Sequence, residues 1–293
     1  MRNFTKVFII LILFITNVSC EDESTDTINS DTTELVSIVE ELNVNNNPTS
    51  TFTTYTIDNS LNTEIEWSYG TVREQTFTNG RMTLMEDFED GSIYQSHTFT
   101  YDNVGRLISS SGESYDATYD YVDNQILASV VNYDTNGDIT NTESYSFTLN
   151  ANNQIIQFQS GESDASWSAS YTNGNLTSFV VSGYGDTADG SATFTYSSEL
   201  ASEPYQKERY RYGPEWRNNI MLGQTGRYAF KQLAELGDNY LLSFSFIRAS
   251  DGEETVSQTM SYEFDERGRL IFQNRNKFWG NSIFNYDITY TYQ

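Results

Sequence analysis

The chain has 293 residues, of which 37% are hydrophobic and 15% aromatic, with 21 Tyr and 18 Phe. That aromatic content excludes a wholly disordered chain; three prolines exclude collagen-like and proline-rich classes, and a single Cys with a single His excludes a disulfide scaffold and a Cys/His zinc site. Forty-one acidic residues against 16 basic give a net charge of −25, which argues against nucleic acid and anionic membrane surfaces as partners.

Arg2 and Lys6 precede an unbroken apolar run, Val7 to Ile15, followed by the polar tract Thr16 to Cys20. Positive start, short apolar run and small residues make a secretory signal over 1–19, and the run is too short to span a bilayer. The only cysteine, Cys20, follows Val18 and Ser19. In this it resembles bacterial lipoproteins, whose lipobox places a small residue before the modified Cys; Asn17 departs from the usual Leu. The resemblance implies that Cys20 carries diacylglycerol and palmitate-type acyl chains and becomes the mature N-terminus. Glu21-Asp22-Glu23 resembles the surface-export signal of Bacteroidota lipoproteins, which implies an outer-membrane, surface-exposed location.

Residues 21–31 read as a charged tether. Leu35, Ile38 and Leu42 fall at helical spacing behind an Asp31/Glu34 capping-box-like start, which predicts a short helix over 32–42. Asn43 to Ser50 then breaks the pattern, so residues 20–50 are read as anchor, tether and helix, with one domain over 51–293.

Beyond residue 51 the period is two. Aromatics alternate with hydroxyl or acidic residues in 98–101, 145–149, 193–196, 260–264 and 286–292. Successive strand side chains point to opposite faces, so each segment has an aromatic face and a Ser/Thr/Asp face, the mark of antiparallel strands covered on one side. Asn79-Gly80, Asp90-Gly91, Asn103-Val104-Gly105, Asn136-Gly137, Asn173-Gly174, Asp189-Gly190, Asp251-Gly252 and Arg267-Gly268 separate the runs. Gly and Asn tolerate the positive φ of tight hairpins. The expectation is a mainly β fold: a large curved antiparallel meander of a dozen or more strands, open or partly closed like a barrel, since a twisted sheet of that size must curl, close or split.

A repeat underlies the pattern. Tyr101-Asp102…Gly105-Arg106-Leu107 matches Phe264-Asp265…Gly268-Arg269-Leu270, with weaker copies at 133–139, 171–176 and 77–82. These residues resemble the YD repeat of Rhs-type bacterial proteins and its degenerate versions in small Bacteroidota lipoproteins, over roughly 65–197 and 255–292. The resemblance implies a structural shell and brings no catalytic residue.

The run breaks at 199–237. Six of the basic residues, Lys207, Arg209, Arg211, Arg217, Arg227 and Lys231, crowd this insert, interleaved with Tyr205, Tyr210, Tyr212 and Trp216. Flat aromatics beside Arg forks suit a sugar or carboxylate, which makes Trp216, Tyr212, Arg211, Arg217 and Tyr210 the candidate ligand site. The bland alternative is a lid pairing its charges with the acidic body. Tyr228, Phe230, Leu233 and Leu236 before Gly237 predict a helix over 220–236.

Motifs for chemistry are missing. There is no G-x-S-x-G and no P-loop, and Gly183-Tyr184-Gly185 lacks the context of a dinucleotide site. His97 is in phase with Phe99 and Tyr101, which places it on the aromatic face as a structural histidine. Asp134 to Asp138 reads as a hairpin turn rather than a calcium loop. No cofactor and no metal are implied. The reading is a cell-envelope lipoprotein that binds a glycan or a neighbouring protein without catalysis. The alternatives are a carboxylate-dependent glycoside hydrolase and an integral outer-membrane barrel.

Overall fold

The computed structural model describes residues 34–45, 47–58, 61–201, 233, 237–280 and 282–293. Eighteen strands form among them. They are β1 (Leu35–Val44), β2 (Asn47–Asp58), β3 (Leu61–Trp67), β4 (Val72–Thr78), β5 (Arg81–Glu89), β6 (Ser92–Tyr101), β7 (Leu107–Gly112), β8 (Tyr115–Val122) and β9 (Gln125–Tyr133). The second half is β10 (Ile139–Leu149), β11 (Ile155–Ser160), β12 (Ser166–Thr172), β13 (Asn175–Ser182), β14 (Gly190–Leu200), β15 (Asn239–Arg248), β16 (Glu254–Phe264), β17 (Leu270–Trp279) and β18 (Ser282–Tyr292). Each strand pairs antiparallel with its neighbours in sequence, and β18 pairs with β1 from Leu35↔Tyr292 to Val44↔Phe284. The expected meander is therefore a closed ring, and no sheet edge is left unpaired.

Two expectations at the start of the chain are corrected. The segment read as a helix over 32–42 is strand β1, and the barrel begins there rather than at residue 51. The cause is a bulge between Leu35 and Ser37. The extra residue puts Leu35 and Ile38 on the same face although they are three apart, which imitates helical spacing. The helix expected over 220–236 lies outside the described residues except for Leu233, which is buried in the core.

All the strands contribute buried side chains to the inward face, and these fill the ring. Trp167, Phe147, Phe158 and Phe179 are at most 2% exposed. They form a continuous row across β10 to β13: Phe158 lies 5.4 Å from Phe147 and 5.8 Å from Trp167, which lies 5.1 Å from Phe179. The outward face carries the hydroxyls. Thr100, Ser109, Thr118, Ser129 and Ser144 are successive cross-strand partners from β6 to β10. Ser170, Ser178, Thr193, Ser245 and Ser257 do the same from β12 to β16.

Four of the five copies of the repeat build one end of the barrel, here termed basal, where the chain also enters β1 and leaves β18; the copy at 133–139 turns at the other end. At each of the four the strand bulges just before the turn, so the aromatic faces the first apolar residue of the return strand: Phe77↔Met82, Tyr101↔Leu107, Tyr171↔Leu176 and Phe264↔Leu270. Met82, Leu107, Leu176 and Leu270 are each 0% exposed. Tyrosine hydroxyls then tie one hairpin to the last. Tyr101 donates to the Met82 carbonyl at 2.7 Å, Tyr171 to Ile155 at 3.2 Å and Tyr292 to Leu270 at 2.9 Å.

The turns follow from their side chains. One Asp102 oxygen accepts from the N–H groups of Val104 and Arg106, and one Asp265 oxygen from those of Arg267 and Arg269. Gly105 and Gly268 take φ of +88° and +76°, as the repeat predicts. The turn 150–154 is built alike, with Asn150 in the Asp role and Asn153 at φ +58° in the Gly role. Asp189-Gly190 is not the turn expected of it. Gly190 opens β14, buried, where a Cβ would meet the Ile247 carbonyl oxygen at 2.3 Å, and the chain reverses over 183–189 instead.

A Cβ at Gly268 would meet nothing within 4 Å, so Gly268→Val isolates backbone strain and should cost about 1–2 kcal/mol in urea denaturation. An unchanged midpoint would show that the turn relaxes to another form. Trp167→Ala removes the centre of the aromatic row and should cost about 3–5 kcal/mol. A loss under about 1 kcal/mol would mean that the row is not close-packed.

Candidate functional site

The other end of the ring, the apical mouth, is bounded by the connections 68–71, 90–91, 113–114, 134–138, 161–165, 183–189 and 249–253. Two groups of polar residues lie there. The first spans β4 to β8. Register sets Arg73 opposite Asp87, and Gln75 opposite Met85, which faces His97. Arg73 grips Asp87 with both arms, Nε at 2.5 Å and a terminal nitrogen at 2.7 Å. Asp87 is 1% exposed, so the bidentate geometry offsets the cost of burying its charge. The Arg73 guanidinium also lies 5.5 Å over the Trp67 ring.

His97 completes this group on the face predicted for it. It is 7% exposed, stands opposite Gly112, and its Nδ1 lies 3.2 Å from the Tyr115 hydroxyl. A Cβ at Gly112 would meet Nδ1 at 2.6 Å, so only glycine leaves room for the ring. Burial, then the Arg73 charge, lower the His97 pKa below its ordinary 6.5, while Asp87 and Glu113 act the other way. These residues hold one another in place, and the group serves as a polar rung inside the wall.

The second group surrounds a cavity of about 300 Å³ lined by Glu143, Tyr145, Phe158, Ser160, Glu162, Ser163, Ala165 and Tyr184. That is the lower end of the range for small-ligand sites. Tyr145 and Phe158 form one wall, their ring centroids 5.7 Å apart. Glu143 accepts from the Tyr145 hydroxyl and from the Asn141 amide. Glu162 accepts from the Ser144 N–H at 2.9 Å and the Ser144 hydroxyl at 2.8 Å. Those two donors, the N–H first, hold the Glu162 carboxyl below the usual carboxylate range. Burial, and then the bond to Glu143, raise the Tyr145 phenol, and burial alone pushes Tyr184 up to about 12.

Tyr184 comes from the Gly-Tyr-Gly triplet. Gly183 and Gly185 take φ of +80° and +93°, and a Cβ on Gly183 would meet the Asp164 carbonyl oxygen at 2.2 Å. The glycines thus let loop 183–189 press against loop 161–165, while Asp189 accepts from the N–H groups of Gly183 and Tyr184. This cavity is absent from the sequence reading, and the triplet was the signal for it. Trp216, Tyr212, Arg211, Arg217, Tyr210 and Cys20 lie outside the described residues. Asp134 is a turn residue whose Oδ1 accepts from the N–H groups of Asn136 and Asp138. Among the described residues no group of three or more His, Cys, Asp or Glu is arranged to hold a metal ion.

No protein-family model matches the chain, and no curated protein matches it. Among solved structures it is similar to a porin-like protein from Bacteroides uniformis at 14% identity and a TM-score of 0.46, covering 88% of this chain and 96% of that one. A porin-like protein from Bacteroides vulgatus matches at 10% identity and 0.33, covering 89% and 99%. A Photorhabdus luminescens Tc holotoxin pore matches at 10% and 0.31, over 78% of this chain and 12% of that one. Likenesses at this level fall short of a shared family.

His97 is the only histidine of the chain, which makes it testable alone. With a folded pKa below 6.5, its contribution to stability is complete above about pH 6.5 and is lost as pH falls toward the lowered value. Between pH 7.5 and about pH 5 the wild type should therefore lose more Tm than His97→Gln. Equal losses would show that His97 titrates at its ordinary pKa in the barrel.

Proposed function

We propose that the protein is a lipid-anchored barrel of the cell envelope that binds a ligand at its apical mouth without transforming it. The observation that carries this reading is the cavity under Tyr184, where aromatic walls and two fixed carboxylate acceptors converge at the end of the barrel away from the chain's entry into β1. Diacylglycerol on Cys20 would hold the protein to the outer membrane, and residues 21–33 would join the anchor to the basal end. The candidate residues of the 199–237 insert stand as a separate proposal for a glycan or protein ligand.

A hydrolase would need one carboxyl of its pair raised so that it can donate a proton. Glu162 is shifted the opposite way, which suits an acceptor that positions a ligand and equally the ionised member of such a pair. The second reading, an integral outer-membrane barrel, draws support from the closed ring of 18 strands, a number such barrels reach. Its lipid-facing band would have to lie on the outward face, where the two hydroxyl rows run. Hydroxyl rows are costly in hydrocarbon and favour the anchored reading, whereas Leu127, Val180, Leu242 and Ile247, exposed on the same face, favour the integral one.

Fractionation separates the two. Full-length Cys20→Ala should leave the membrane pellet for the soluble fraction, and should no longer incorporate a fatty-acid analogue. Retention in the pellet after an alkaline wash would support the integral barrel and end the anchored reading.

A further inference from the structure

We infer that the apical cavity is a receptor for a compact organic cation, an alkylammonium or guanidinium group, held between the Glu143 and Glu162 carboxylates and the rings of Tyr145, Phe158 and Tyr184. The inference rests on the binding role of this cavity and adds the chemical class of its ligand.

Three observations carry it. First, among the described residues the two carboxylates meet no cation. The described lining of the cavity holds no Lys or Arg, and the bonds that Glu143 and Glu162 accept there come from neutral donors: Asn141, the Tyr145 hydroxyl, and the N–H and hydroxyl of Ser144. Those donors fix the direction of the carboxylates and leave their charge uncompensated. Elsewhere on the inner wall Asp87 has Arg73, so the barrel does supply a cation where structure needs one.

Second, the walls are aromatic. The negative face of a ring attracts a cation most where water is displaced, and three rings around two carboxylates supply both parts of such a site. A neutral sugar would gain from the rings and from hydroxyls donated to the carboxylates, but would leave their charge uncompensated.

Third, a metal ion is poorly served here. Ca²⁺ takes six to eight oxygen ligands, and among the described residues no three acidic or His side chains converge. An organic cation needs only the rings and the charge. The net charge of −25 also draws cations of every kind toward the molecule.

The test is calorimetric titration of full-length protein in detergent with arginine amide and, separately, with maltose, at low and high salt. Arginine amide should bind, with affinity falling as salt is added. Glu162→Gln and Tyr184→Ala should each weaken it roughly tenfold while the barrel stays folded by circular dichroism. Affinity indifferent to both substitutions would place the cation elsewhere and overturn the inference. Maltose binding that Tyr184→Ala abolishes, with none for arginine amide, would overturn the cation and keep the cavity as a binding site. Binding of neither probe would remove both.

Discussion

The structure depends on a single constraint: one face of nearly every strand is aromatic or aliphatic, and that face has to leave water. A twisted sheet of 18 strands that stayed open would expose its inner side and both edges. Closure of β18 on β1 solves both at once. It pairs the last edge along the whole length of the strands and lets the aromatic faces pack on one another. Burial of one large aromatic is worth about 1.5–3 kcal/mol, so a row such as Phe147, Phe158, Trp167 and Phe179 outweighs any single hydrogen bond in the wall. Charged and amide side chains of the interior meet partners, as Arg73 meets Asp87 and the Tyr290 hydroxyl meets Gln273.

What could be read from the sequence follows the same logic. Alternation is a local property, and it assigned the inward face correctly at Phe99, Tyr101, Phe147, Phe194 and Tyr290. Turn chemistry is also local, and Gly105 and Gly268 have the positive φ that their Asp-led turns require. Closure is not local. The partners Ile38 and Tyr290 belong to opposite ends of the chain, and nothing in either segment names the other. Bulges defeat periodicity for a related reason. One inserted residue shifts the phase, so Leu35 and Ile38 fell into a helical pattern that the paired strand does not have. The cavity stayed hidden because Tyr145 and Tyr184 approach it from different hairpins, and only register and loop contact bring them together.

The outward face bears on the membrane question through solvation alone. A spanning barrel turns its apolar face to lipid and keeps polar groups inside. Here the outside is mixed: hydroxyl rows run beside the exposed Ile108, Leu127, Val180, Leu242 and Ile247, while the buried aromatics pack inward. Two barrels with the same topology can therefore suit opposite solvents, and the parity of each strand decides between them. A one-residue slip in register would exchange the faces, which is why the basal bulges and turns have to be specific.

That specificity is unevenly distributed along the barrel axis. At the basal end the repeat supplies the same parts again and again: a bulge, an aromatic, an Asx-held turn and a Leu or Met with no exposed surface. Tyrosine hydroxyls bonded to the carbonyl of the preceding hairpin make each unit support the next. The apical end has dissimilar connections, from two residues at Asp90-Gly91 to the paired loops 161–165 and 183–189, with a single copy of the repeat at 134–138, while the longest connection of the chain, from β14 to β15, leaves from the basal end. The apical mouth also carries the inward charges of Arg73, Asp87, Glu143 and the rim carboxylate of Glu162. Polar groups in a wall cost stability, and loops free of the repeat can vary without disturbing register. Since all the strands run between the two ends, a rigid base fixes where each apical side chain emerges. Tyr184 and Glu162 can thus be positioned by loops while the strands beneath them are held by the basal copies of the repeat.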